Sequence, residues 1–150
     1  MTAPIQLRSP VDLRAAWPDV ARVIANDFGA TFASQGKNIG QSWPKLQSRN
    51  RRNAATPLVL TGELRSSVAD ASRGVRKTTK RWLTFGPSDK RYFFVQHAGS
   101  NIKRIPARKY IDISARASTE IANIIERTIL ANASQIMSAI QESTTIGGAV

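Results

Sequence analysis

Cysteine is absent and histidine occurs once, at His97. The first absence excludes disulfides, thiolate metal sites and a cysteine nucleophile. The second excludes a metal cage built from several histidines. No apolar run approaches the ~20 residues a membrane span needs, and Met1 to Arg8 holds no apolar signal core. These absences predict a soluble chain with no membrane partner, made and used in a reducing cytoplasm. Acid is scarce as well: ten Asp and Glu stand against 22 Lys and Arg, a net charge of +12. What is present is enough apolar content, 41% over 150 residues, for one domain spanning 1–150 with a modest core.

The charge is segregated. Residues 1–36 balance to zero, with Arg8, Arg14 and Arg22 against Asp12, Asp19 and Asp27. Residues 110–150 carry a net charge of −2. All the excess lies between them, in 37–109, where 17 basic residues face only Glu63, Asp70 and Asp89. A pattern of this kind bears on partners and association rather than on fold.

The chain begins with a helical stretch, 9–34. Ser9-Pro10-Val11-Asp12 has a capping serine followed by proline and an acid, and Pro18 is expected to break or restart the helix. From there Val20, Ile24, Phe28 and Phe32 recur every four residues. Asp12, Asp19 and Asp27, seven or eight apart, read as a solvated face. Residues 35–57 read as an extended loop, and loops of about twenty residues are usually functional or mobile. A strand-rich segment, 58–111, follows. It holds Leu58 to Thr61, a stretch from Val68 to Thr79 with Gly74 as a bulge, a turn at Lys77–Lys80, and Arg81 to Phe85. Tyr92 to Val95 is too short to type by period, and Ile105 to Ile111 suits an edge strand because Pro106 cannot donate to a ladder. Isoleucines from Ile113 to Ile140 keep helical spacing, giving a helix over 114–141 capped by Asp112 or Ser114, then a frayed tail, 142–150. The expected fold is α+β: a small antiparallel sheet packed against a long C-terminal helix and an N-terminal helix, with a long extended loop.

Chemistry is hard to find. His97, next to Ala98-Gly99, reads as a loop histidine without a nucleophile or orienting acid beside it. Ser100 to Lys103 matches S-x-x-K but lacks its companion motifs. Gly29 to Lys37 has the wrong glycine spacing for a phosphate loop, and Asn38 stands where a magnesium-binding hydroxyl belongs. No enzyme, metal or cofactor is expected. The basic run differs in kind. Lys45, Arg49, Arg51 and Arg52 lie in the long loop, Arg73, Arg76, Lys77, Lys80 and Arg81 around the turn, and Lys103, Arg104, Arg108 and Lys109 near the proline strand. Phosphate contacts need flexible cations in no particular order, and no recognition helix or aromatic platform is present to read sequence.

Several segments, in order, carry a resemblance. They are Gly40-Gln41-Ser42-Trp43-Pro44-Lys45-Leu46, then Leu58 to Val68 around Gly62 and Leu64, then Tyr92 to Gly99 around His97, then Ile105-Pro106-Ala107-Arg108-Lys109-Tyr110. Together they resemble the tailed-bacteriophage virion morphogenesis, or tail completion, family, over roughly residues 28–130. The resemblance implies a structural subunit of the virion neck. It would assemble with itself as a ring, expected to be hexameric, beside portal, connector or tail tube proteins, with double-stranded genomic DNA passing through. The alternatives are a free, non-specific nucleic-acid-binding protein and an assembly factor that leaves the mature virion. On the ring reading, the loop bearing Trp43, Lys45, Leu46, Arg49, Arg51 and Arg52 is an inter-subunit or inter-ring contact. Arg73, Arg76, Lys77, Lys80 and Arg81 face the lumen, and Arg108 offers a planar fork to a carboxylate across an interface.

Overall fold

A computed structural model describes residues 5–8, 11–44, 62–87, 90–102 and 105–146. The four-residue apolar period folds as helix α1 (Trp17–Ser34), with Val20, Ile24, Phe28 and Phe32 buried at the centre of the core. The helix starts later than position 9. Ser9 and Pro10 lie outside the described residues, and the chain before Trp17 is irregular, with a turn at 14–16. Pro18 fixes the start, since it lacks an N–H and is tolerated only in a helix's first turn. Upstream, Ile5–Arg8 forms strand β1, an element not expected from so short a segment.

The sheet has three antiparallel strands in the order β1-β3-β2, where β2 is Val75–Thr78 and β3 is Trp82–Phe85. Arg8 lies opposite Trp82 and Ile5 opposite Phe85, while β2 carries a bulge between Val75 and Lys77. The β2–β3 turn falls at Thr79–Arg81, later than expected. The Thr79 N–H donates to the Trp82 carbonyl at 2.8 Å, and its hydroxyl accepts from the Arg81 and Trp82 N–H groups at 3.3 and 3.1 Å. A threonine hydroxyl thus closes a turn that has neither glycine nor asparagine.

The strand-rich expectation for 58–111 needs three corrections; its first piece, Leu58 to Thr61, lies outside the described residues. Residues 63–74 are helical, as α2 (Glu63–Ala69) and α3 (Ala71–Gly74). Leu64 and Val68, four apart, share a buried face of α2. Asp70 divides the two helices: its backbone is extended, and its carboxylate accepts from the Ser72 N–H at 2.9 Å. Gly74 is not the bulge. It ends α3 against β3, where a Cβ would sit 2.1 Å from the Phe85 ring. Second, Tyr92 to Val95 belongs to helix α4 (Lys90–Ala98). Third, 105–111 is not an edge strand; among the described residues only an isolated bridge, Ser100 to Ile105, forms there. Its backbone donors are used by α4 instead: Arg108 N–H reaches the Gln96 carbonyl at 3.2 Å and Tyr110 N–H reaches His97 Nδ1 at 3.3 Å.

The isoleucine period folds as helix α5 (Ala115–Ile146), which runs past the expected end at 141 because no breaker precedes Gly147. Ala117, Ile121 and Ile124 are buried, and α5 leans on α1 more than on any strand. Ser114 is the cap, its hydroxyl accepting from the Ala117 N–H at 3.2 Å. Asp27 is not on a solvated face: its carboxylate takes the Ser114 N–H at 2.8 Å and the Ser114 hydroxyl at 2.6 Å, fastening α1 to the start of α5. The architecture is therefore α+β, with a small antiparallel sheet, an N-terminal helix and a long C-terminal helix. Among the described residues no helix is long and apolar enough to cross a membrane.

Candidate functional site

The end of α3, which holds Arg73, and the β2–β3 hairpin together carry the five cations expected around the turn. Arg73, Arg76, Lys77, Lys80 and Arg81 are all exposed, and Trp82 beside them is 38% exposed. The hairpin is held by its backbone. Trp17 Nε1 donates to the Thr79 carbonyl at 2.6 Å, and the Leu13 N–H donates to the Lys80 carbonyl at 2.7 Å. Both tethers come from the segment entering α1, so the turn is tied to the core while its side chains point outward. Sequence reasoning missed Trp17; its signal is an indole immediately before a helix-starting proline.

The five cations are not equivalent. Arg76 Nε donates to the Gly86 carbonyl at 2.7 Å and its Nη2 to the Arg73 carbonyl, and Arg73 Nη1 reaches the Ser66 hydroxyl at 2.9 Å. These two guanidinium groups brace the base of the hairpin and still present charge. The ion pairs among the described residues are Asp12–Arg14 and Asp19–Arg22, so no hairpin cation is in one. The Asp12 carboxyl is held below the usual carboxylate range mainly by its hydrogen bonds to Arg14, with a small contribution from Lys80. The result is a positive ridge on a tethered backbone, with no ion-pair partner among the described residues.

Of the residues that carry the resemblance, Trp43, His97, Arg108 and Tyr110 come together elsewhere, and all four are buried. Trp43 is 5% exposed, stacked edge-on against Phe32, and its Nε1 donates to the Lys109 carbonyl at 2.9 Å. Arg108 is 4% exposed and donates from Nη2 to the Pro44 carbonyl at 3.1 Å. Segments 43–44 and 108–109 therefore lock each other reciprocally. Two expectations fall here. Trp43 is the apolar anchor that its size implies, but it is set in this chain's own core rather than at an inter-subunit contact, and 35–44 packs on the core with a 3-10 turn at Lys37–Ile39. Arg108 turns inward and meets a backbone carbonyl, not a carboxylate; burial lowers its pKa. Lys45, Leu46, Arg49, Arg51 and Arg52, with the rest of the loop to position 57, lie outside the described residues, as do Lys103 and Arg104.

His97 is in the last turn of α4, not in a loop, and is buried edge-on against the Tyr110 ring. Its Nδ1 accepts the Tyr110 N–H, and the Tyr110 hydroxyl donates to the Phe93 carbonyl at 2.7 Å. Burial first, then the charge of Lys109, pushes the imidazole below 6.5, against the pull of Asp112. A neutral histidine used as an acceptor for backbone is a fastener. Gly99, at φ 78°, lets the chain fold back, since a Cβ would sit 2.7 Å from the Ala107 nitrogen. Gly62, also left-handed at φ 70°, begins α2; Tyr92 lies in α4 and Pro106 is half-buried.

A shallow cleft of about 250 Å³ lies between α1 and α5, lined in part by Asn26, Asp27, Arg116 and Glu120. Its best acceptor, Asp27, is already committed to Ser114. Among the described residues no three His, Cys, Asp or Glu are grouped to hold a metal ion. No family model, curated protein or solved structure matches this chain.

Proposed function

We propose that the chain is a structural virion protein of a tailed bacteriophage, forming a ring at the head–tail junction. In this reading it acts as a tail completion, terminator or connector protein, assembled in the host cytoplasm beside portal or tail tube subunits, with DNA passing through its lumen. The observation that carries the reading is the ridge formed by the end of α3 and the β2–β3 hairpin: five exposed cations, none in an ion pair among the described residues, beside a turn tied by Trp17 and Leu13. A tethered ridge offsets the repulsion a duplex feels in a narrow channel without gripping it. The motif residues support the reading as a stabilised scaffold that holds that ridge in place. The ridge equally suits a free, non-specific nucleic-acid binder, the second reading.

Mass in solution without DNA, followed by a salt series with duplex DNA, separates the two. The ring reading expects closed oligomers and weak binding whose affinity falls steeply with salt, by roughly one logarithmic unit per phosphate met for each tenfold change in salt. Glutamine at Lys77, Lys80 and Arg81 should leave the rings intact and flatten the salt dependence. A monomer that binds DNA tightly would establish the second reading. Oligomers whose DNA binding ignores those three cations would place the ridge at a protein contact and end the lumen assignment.

A further inference from the structure

Helix α5 changes character along its length. Up to Asn132 it has an inner side: Ala117, Ile121 and Ile124 are buried, and Asn132 Nδ2 donates to the Asp12 carbonyl at 2.9 Å. Beyond Asn132 every side chain described is exposed, and the helix continues to Ile146. At 1.5 Å per residue that is an arm of about 20 Å. The exposed apolar side chains begin just before it. Ile129, Leu130, Ile136 and Met137 are all solvent-facing, Ile136 at 61%. Ile129, Ala133 and Ile136 are spaced by four and three, with Leu130 and Met137 one heptad apart beside them. At 100° per residue this seam is rotated from the stripe that meets α1 and borders it, with Ile136 one turn beyond Asn132. Four-and-three spacing, here over one heptad, is the spacing at which side chains of paired helices interlock.

Charge identifies what covers the seam. Between Arg127 and Glu142 the sequence has no charged residue, in a chain that is 21% charged and carries +12 overall. Copies of such a chain repel each other, so a contact between copies must avoid setting cation against cation. The seam, from Ile129 to Met137, does this in two ways: it bears no charge itself, and it lies on an arm about twice as long as the ~10 Å screening length at 0.1 M salt, whose one charged residue is the acid Glu142. A partner chosen by opposite charge would find nothing on the seam to select it. A second arm presents the same neutral, apolar strip. We infer that the distal half of α5 is a self-association element, pairing seam to seam with the same helix of a second copy. Such a pairing uses the same surface on both copies and by itself closes at two, so a ring of the proposed function needs a second, different contact, and the inference stands apart from that reading.

The test uses the full chain. Light scattering over a concentration series should give a dimer or a multiple of it, and Ile136→Asp should lower that mass at least twofold with helix content unchanged and a thermal midpoint that no longer rises with protein concentration. Ser138→Asp, which puts the same charge on another side of α5, should leave the oligomer intact. Because the chain has no cysteine, Ala133→Cys provides a single thiol at the middle of the seam. Mild oxidation should link copies through it, and Lys77→Cys should not. A wild-type monomer at all concentrations, an oligomer indifferent to Ile136→Asp, or an oligomer lost in that variant without linkage through position 133 would each overturn the seam. The last outcome would mean that another surface covers it. Rings of unchanged mass in Ile136→Asp would remove the seam and leave the ring reading standing. Linked pairs that never exceed two copies would keep the seam and remove the ring.

Discussion

The β2–β3 hairpin and the junction between segments 43–44 and 108–109 are made of similar residues, a tryptophan with arginine and lysine around it. One presents them and the other encloses them. At the hairpin the backbone makes the attachments, through the Thr79 and Lys80 carbonyls, and Trp82, Lys77, Lys80 and Arg81 are left facing solvent. At the junction the side chains make the attachments, from Trp43 Nε1 to Lys109 and from Arg108 to Pro44, and they are spent in doing so. Whether a cation or an indole is a surface or a fastener is decided by which part of the residue holds the chain in place.

The largest difference should appear when the two indoles are removed. Trp43→Ala deletes a buried ring and leaves the Lys109 carbonyl without its donor, at a cost of about 3–5 kcal/mol. Trp82→Ala removes a ring that is more than a third exposed, and about 1 kcal/mol is expected, near the centre of ordinary substitutions. Urea denaturation followed by far-ultraviolet circular dichroism measures both. Equal losses would erase the distinction between the two regions.

A pH series sharpens it further. His97 belongs to the enclosed region, and burial keeps its imidazole neutral below its ordinary value of 6.5, with Nδ1 accepting from Tyr110. An unfolded chain takes up the proton near 6.5 while the native chain resists it, so the unfolded state binds more protons in the window below that value. Stability then rises with pH through the window and is lost as pH falls through it. The denaturation midpoint should be lower at pH 5.5 than at 7.5, and His97→Gln should flatten the change. The hairpin variants should keep the wild-type slope. An unchanged slope in His97→Gln would assign the effect to other groups.

How far these regions are legible in sequence follows from what fixes each one. Periodicity fixes α1 and α5, and both are readable from Val20, Ile24, Phe28 and Phe32 and from the isoleucine run. Cation clustering is also local, so Arg73 to Arg81 group together by position along the chain alone. The junction is different. Trp43 and Lys109 are 66 positions apart, and nothing near either residue says that they face each other. The same holds for Asp27, whose partner Ser114 is 87 positions away. Residues 105–111 carry a strand-like composition, but α4 takes their backbone donors, so local propensity loses to a tertiary partner. Residues 63–74 became two short helices because Asp70 caps the second while interrupting the first, a device that hydrophobic pattern alone does not reveal.

The smallest effect lies within the hairpin itself, where the comparison repeats on a finer scale. Arg76 attaches to the Gly86 and Arg73 carbonyls, whereas Lys77, Lys80 and Arg81 are in no side-chain hydrogen bond or ion pair with a described residue. If attachment by the side chain is what makes a fastener, Arg76→Gln should cost about 1 kcal/mol, the net value of a typical hydrogen bond lost at a partly solvated site. Lys77→Gln, Lys80→Gln and Arg81→Gln should each stay within about 0.5 kcal/mol, as surface substitutions do. Lowering charge density on a ridge of like charges also relieves repulsion, so these three should err towards stabilisation. That relief should fade with added salt, because exposed charges are screened, while the Arg76→Gln loss should persist. Thermal midpoints at low and high ionic strength measure both quantities together. A salt-independent loss at Lys80 or Arg81 would reveal an attachment there and move that residue from the ridge to the scaffold beneath it.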